Sequence, residues 1–170
     1  MTVLDAVKGR FSTRSYENRP VDDKDLTIVL ESARYAQSAK NLQDWKFVVV
    51  KDADTRSRLM DAAKGQRHVA QAPVVIACCG INPNYVMTCG QYSYSLDVAI
   101  ATENMALTAH ELGLGTCWLG AFHEDMVKEI LGIPKDEVRV VGLLTLGYPA
   151  TSAPVKNRKP IEEIVSWERW

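Results

Sequence analysis

Glu111-Leu112-Gly113-Leu114-Gly115-Thr116-Cys117-Trp118-Leu119-Gly120-Ala121-Phe122 is the passage whose reading decides the fold. Its Gly-Leu-Gly invites comparison with a dinucleotide fingerprint, but that motif needs G-x-G-x-x-G after a strand and before a helix. Here the order is reversed. The residues upstream, about Tyr92 to Leu112, contain neither Gly nor Pro and are dominated by Ala, Leu, Met, Ile and Val, which predicts one long, largely buried helix. Gly113 suits the left-handed position just past a helix end, with Leu114 packing back on the last turn. Gly115 then admits the chain to a strand through Cys117 and Trp118. On the helix, Asn104, Thr108 and Glu111 fall at i, i+4 and i+7 and form a polar stripe that faces either solvent or another subunit. Asp97 reads as an acid near the helix start, favoured by the helix dipole.

Working outward, Asp22 is placed as the N-cap of a helix over residues 22 to 36, with Val21 and Leu26 as a hydrophobic staple and Leu26, Val29, Leu30 and Ala33 on one face. Phe47-Val48-Val49-Val50 follows Trp45-Lys46 as a buried strand, because so short an unbroken β-branched run suits a sheet interior. A helix from about Ala53 to Ala63 leads through the polar Gly65-Gln66-Arg67-His68, expected near the surface, to a second apolar strand over residues 74 to 79. A helix over about 124–131 and a strand over Val138 to Leu146 complete the regular structure, closed by Gly147-Tyr148-Pro149. The fold class is therefore α+β: a mixed, largely antiparallel sheet of roughly four strands flanked by helices on both faces.

The 170 residues, 46% of them hydrophobic, suffice for one core and predict a single domain over 1–170. A net charge of −1 argues against a general nucleic-acid or anionic-membrane binder. No window approaches the ~20 apolar residues that span a bilayer, and the start lacks a signal-length apolar run, so the expectation is a cytoplasmic protein. Cys78, Cys79, Cys89 and Cys117 show no zinc-like spacing, and His68, His110 and His123 are scattered, so no metal site is expected. Cys78 and Cys79, inside an apolar strand, read as small hydrophobes.

Against this neutral background, local basic clusters must serve a local ligand. Arg10-Phe11-Ser12-Thr13-Arg14-Ser15-Tyr16, Ser38-Ala39-Lys40-Asn41-Leu42-Gln43-Asp44-Trp45 and Lys156-Asn157-Arg158 together fit a planar, hydrogen-bonding, phosphorylated ligand. Arg10, Arg14, Lys156 and Arg158 are expected to converge on one phosphate through charge-assisted hydrogen bonds. Asn41 and Gln43 offer the donor-plus-acceptor amides that a heterocycle edge requires.

Four landmarks in order, R-F-S-T-R-S-Y, S-A-K-N-L-Q-D-W, E-L-G-L-G-T-C-W-L-G-A-F and K-N-R-K-P-I-E-E-I-V, span residues 10 to 165, and in them the chain resembles the flavin-dependent nitroreductase family. The resemblance implies FMN as cofactor, an obligate homodimer with active sites at the subunit interface, and two-electron ping-pong transfer from NADH or NADPH to nitroaromatics, quinones or similar small acceptors. It implies that Arg10, Phe11, Ser12 and Arg14 contact the flavin and that Lys156 and Arg158 complete the phosphate pocket. Ser38, Asn41 and Gln43 would reach the partner's flavin, while Leu119, Gly120 and Ala121 would bring backbone N–H groups to the ring. Arg67 and His68 match a polar contact to the flavin or nicotinamide side, and no side chain is implied as an essential acid. The tail over about 150–170, with Trp167 and Trp170, is expected to wrap the partner subunit.

Departures from the family pattern are Gln37, Lys40 and Asp44, where many relatives carry Pro, Gly and Pro, which predicts a less rigid and more charged loop. Only the stretch from Cys79 to Tyr92 has room for a lid, so a more open flavin face is expected. A specialised flavoenzyme of the same fold, such as a reductive dehalogenase or flavin-destroying enzyme, and a non-catalytic flavin carrier or sensor are the alternative readings.

Overall fold

In the computed structural model, which describes residues 1–170, strands β1 (Trp45–Val50), β2 (Val74–Gly80), β3 (Gly115–Leu119) and β4 (Arg139–Gly147) pair in the order β1-β2-β4-β3. Every ladder is antiparallel. The parallel part of the expected mixed sheet is confined to one bridge, Ser12 to Thr116, on the outer edge of β3. The helices are α1 (Val3–Gly9), α2 (Asp23–Arg34), α3 (Ala53–Ala62), α4 (Arg67–Gln71), α5 (Ser93–Glu111) and α6 (Glu124–Leu131). None is long and apolar enough to cross a membrane.

The central strand β2, Val-Val-Ile-Ala-Cys-Cys-Gly, is buried along its whole length because helices cover both of its faces. Alternation sends Val74, Ile76 and Cys78 into one core with Leu26 and Val29 of α2 and Val98, Ala101 and Met105 of α5. Val75, Ala77 and Cys79 enter a second core with Leu59 of α3, Val69 of α4 and Val127 of α6. Burial pushes the thiols of Cys78 and Cys79 up to about 12 and about 11, so both are protonated packing groups, as the sequence implies.

The deciding passage folds as read. Helix α5 ends at Gly113, whose φ of 76° is the left-handed value, and the Leu114 N–H donates back to the Ala109 carbonyl at 2.8 Å. Val21 and Leu26 are both buried at the start of α2, as a staple requires, although Asp22 makes no side-chain capping bond. Two helices escaped the sequence reading. Helix α1 is announced by a capping box between Thr2 and Asp5, with an Asp in place of the usual Glu or Gln. Helix α4 begins in the stretch expected to be polar surface, and it buries His68.

Asp97 requires a correction. It lies beyond the first turn of α5, is 4% exposed, and accepts the Ala39 N–H with both carboxylate oxygens at 3.1 and 3.2 Å. Burial raises its pKa, with the Asp44 charge adding to the effect and the bonds from Ala39 opposing it. It is a tether for the 38–44 loop rather than a dipole partner. The polar stripe also finds its place: Asn104, Thr108 and Glu111 line a groove with Val3, Ser32 and Tyr35, and Asn104 donates to the Ser32 carbonyl at 3.2 Å.

Glu124 of α6 ties the second core to β4. It accepts from Arg139 Nε at 3.0 Å, the Val140 N–H at 2.9 Å and Lys128 Nζ at 3.1 Å. Burial alone would raise its pKa, but these donors outweigh it and hold the carboxyl below its ordinary value. The stabilisation is therefore full above the unfolded pKa of about 4.3 and is lost as pH falls through the lower folded value. Glu124→Gln is expected to cost about 2 kcal/mol at pH 7 in urea unfolding, with the cost shrinking below about pH 4.

Candidate functional site

The segment after α1 runs extended along the free edge of β3. The Thr13 N–H donates to the Thr116 carbonyl at 2.8 Å, and Thr13 is buried against Gly115, where an added Cβ would lie 2.3 Å from the Thr13 hydroxyl. With Thr13 turned inward, the alternate positions Arg10, Ser12 and Arg14 remain available to a ligand. Phe11 is half-buried between Arg10 and Ser12. Arg10 and Ser12 line a cleft of about 160 Å³ with Thr102, Glu103, Thr116 and Trp118.

At one end of this row the positive charges gather. Lys156 Nζ donates to the carbonyls of Lys8 and Arg10, which fastens the 156–158 segment beside α1. Burial and the adjacent Arg10 and Arg158 lower the Lys156 pKa, while burial, Lys156 and Arg10 lower that of His110. Against these cations stands a single carboxylate in ion-pair range, Glu103 at 3.7 Å from Arg10 Nε. An uncompensated cluster of this kind fits a phosphate dianion, whose arrival would relieve the mutual repulsion.

Arg14 is exposed farther along the same segment, and its charge perturbs the ionisation of His68 and Tyr16 and, with Arg10, that of Cys117. Lys156 responds to Arg10 and Arg158, and Arg14 is not among the groups that act on it. His68, which the family resemblance pairs with Arg67 as a polar contact, is 7% exposed and leaves Nε2 buried without a hydrogen-bond partner. Burial and Arg14 lower its pKa, so it is neutral at pH 7. Arg67 is exposed, and it is its neighbour that turns inward. The signal available in the sequence was position: the residue after Arg67 falls on the apolar side of a short helix with Val69.

Leu119, Gly120 and Ala121 continue from the same strand edge. Leu119 is buried in the second core, whereas Gly120 and Ala121 are exposed. Gln66 Nε2 donates to the Ala121 carbonyl at 3.1 Å, and the His123 N–H donates to the Ala62 carbonyl at 2.8 Å, so the α3–α4 corner fixes this backbone.

Ser38, Asn41 and Gln43 line none of the clefts that hold Arg10 or Ser12. They belong to a tight 3₁₀ turn in which Lys40, Asn41 and Gln43 all have positive φ, of 52°, 55° and 56°. Such conformations cost non-glycine residues about 1–3 kcal/mol each and persist where tethers over-determine them. The tethers are Asp97 on Ala39, Ser38 Oγ accepting the Gln43 N–H at 3.0 Å, and Asn82 donating to Asp44 at 3.0 Å. Lys40, Asn41, Leu42 and Gln43 are exposed, presented outward from a fixed base. Of the departures expected to loosen the loop, Gln37, Lys40 and Asp44, the last is in fact one of its attachments.

The largest depression, about 810 Å³, lies elsewhere, along residues 16–23, Lys51 and Arg56. Its cations are already engaged: Lys51 with Asp23, Arg56 with the carbonyls of Ala70 and Ala72, and Arg19 over the Tyr148 ring at 3.7 Å. It is therefore a set-aside surface hollow, and the chemistry belongs to the Arg10–Arg14 edge. At about 160 Å³ the cleft there is well below the ~300–1,000 Å³ of complete cofactor pockets.

A row with clustered cations at one end, a hydroxyl midway and Arg14 farther along fits the chemistry of a phosphorylated, ring-bearing cofactor. The sequence profile described as the nitroreductase family matches residues 7–87 and 66–148. An NADH dehydrogenase of Thermus thermophilus is 31% identical, with 98% of each chain covered. An FMN reductase [NAD(P)H] of Bacillus subtilis is 28% identical over 95% of this chain and 72% of its own length. A crystal structure of a nitroreductase family protein from Clostridium difficile 630 superimposes with a TM-score of 0.90 at 30% identity, covering 100% of both chains. The chain belongs to the nitroreductase family.

Proposed function

We propose that this oxidoreductase binds FMN along the Arg10–Ser12–Arg14 edge and, as a homodimer, passes two electrons from NADH or NADPH to nitroaromatics, quinones or similar small acceptors. The observation that carries the reading is the polarity of the row, three under-compensated cations at one end and Arg14 with the orphaned His68 Nε2 at the other. The names of the Thermus thermophilus and Bacillus subtilis relatives support the donor and the flavin.

Bound FMN would supply the hydride chemistry itself. The chain's residues hold and orient it. Arg10, Lys156 and Arg158 take the phosphate, and Ser12 lies midway. Arg14, beside the buried His68, would face the hydrogen-bonding edge of the ring, where a fixed cation stabilises negative charge that develops on reduction. Backbone at Leu119, Gly120 and Ala121, clamped by Gln66, borders the ring. Ser38, Asn41 and Gln43 close the site of a second copy, and the 150–170 tail wraps that copy, so residues 1–170 act as one domain within the dimer.

A single exposed ring face forces donor and acceptor to use it in turn. Steady-state rates with NAD(P)H varied against a quinone are therefore expected to give parallel double-reciprocal lines. Intersecting lines, with both substrates bound together, would overturn the single-face mechanism.

A further inference from the structure

The 38–44 loop and the 81–92 stretch form one composite unit. The Ile81 N–H donates to the Asp44 carbonyl at 3.1 Å, and Asn82 holds the Asp44 side chain. Beyond them, residues 86–92 fold into a small hairpin, with the Met87 N–H donating to the Gln91 carbonyl at 2.9 Å. Across the seam, Lys40 Nζ sits over the Tyr85 ring at 5.2 Å from its centre. Lys40 forms no ion pair, while its acidic neighbours are spoken for, Asp44 by Asn82 and Asp97 by Ala39. A left-handed backbone, a rigid base and an aromatic face thus hold an exposed ammonium that lacks a counter-ion.

We propose that Lys40 and Tyr85 form the acceptor-selecting wall of a second copy's flavin site, favouring planar acceptors that carry a carboxylate or sulfonate over neutral acceptors of the same shape. The inference rests on the reading that Ser38, Asn41 and Gln43 reach that site, because Lys40 lies between them and is presented outward with them. The ammonium, held over the ring, offers a charge-assisted partner beside an aromatic surface. The loop is already ordered, so little conformational entropy is lost when an acceptor docks.

The test compares 4-nitrobenzoate with 4-nitrobenzamide, which share a ring and differ in charge, on the FMN-loaded protein. Lys40→Asn removes the charge with a residue that tolerates the left-handed backbone. It is expected to lower the benzoate-to-benzamide ratio of kcat/KM about tenfold, the effect of one partly screened charge pair. Lys40→Arg should keep the ratio within about threefold, and added salt should erode the wild-type ratio far more than that of the Asn variant. Tyr85→Leu, which leaves the strained backbone untouched, is the second variant and should lower the ratio by a smaller factor. An unchanged ratio in both Lys40→Asn and Tyr85→Leu overturns the proposal, as does a change confined to the KM for NADPH. Asn41→Ala separates the two layers of the argument. If it holds FMN as tightly as wild type, the reach of this loop to the flavin falls, whereas weakened FMN binding here together with unchanged acceptor ratios in Lys40→Asn and Tyr85→Leu removes the anion selection alone.

Discussion

Lys156→Ala combined with Arg158→Ala is expected to weaken FMN binding by about two to four orders of magnitude, from two charge-assisted contacts of about 1.5–3 kcal/mol each. Lys156 is bonded to backbone carbonyls and Arg158 to that of Asn157, contacts that leave their charges uncancelled, and Glu103 is the carboxylate in ion-pair range of Arg10, so a phosphate would supply the missing counter-charge. Riboflavin sharpens the measurement because it has the same ring and no phosphate. In fluorescence titrations the wild type should prefer FMN to riboflavin strongly, and the double variant should lose most of that preference. Arg14→Ala, at the other end of the row, should weaken both ligands together by about tenfold to a hundredfold. A double variant that still discriminated as wild type does would remove the phosphate assignment.

A chain ended at Pro160 is the second large effect. Residues 161–170 carry Ile161, Ile164, Trp167 and Trp170 at 63%, 65%, 85% and 114% exposure, apolar surface that a single copy leaves in water. Covering such side chains is worth about 1.5–3 kcal/mol each, enough in sum to decide an association equilibrium. The truncated protein is expected to sediment as a monomer and to lose its flavin, because in the proposed dimer each chain supplies only one wall of the site. A truncation that stayed dimeric and flavin-bound would show that the tail does not hold the partner.

What could be read in advance followed from strong local patterns. The long Gly-free helix, its stop at Gly113 and the apolar strands announce themselves through period and punctuation, and they fold accordingly. Helix α1 was missed because its amphipathic stripe is short and its capping box uses Asp5. In the site, the alternation of Arg10, Ser12 and Arg14 was legible, but the edge that the segment covers appears only once Ser12 is seen bridged to Thr116 of β3. His68 could be named from the family pattern, but its burial could not be read, because a polar tetrapeptide gives no hint of the short helix that turns it inward. The attachments of the 38–44 loop were hidden for the same reason: Asp97 lies 58 residues beyond the amide that it holds.

The segment that carries Arg10, Ser12 and Arg14 is also the cover of the sheet's open margin, since Ser12 and Thr13 are what meets Thr116 there. A margin left bare offers unpaired N–H and C=O groups as a template for other chains. The residues that meet the ligand thus also shield the sheet from other chains, so a change at Ser12 or Thr13 touches solubility as well as binding.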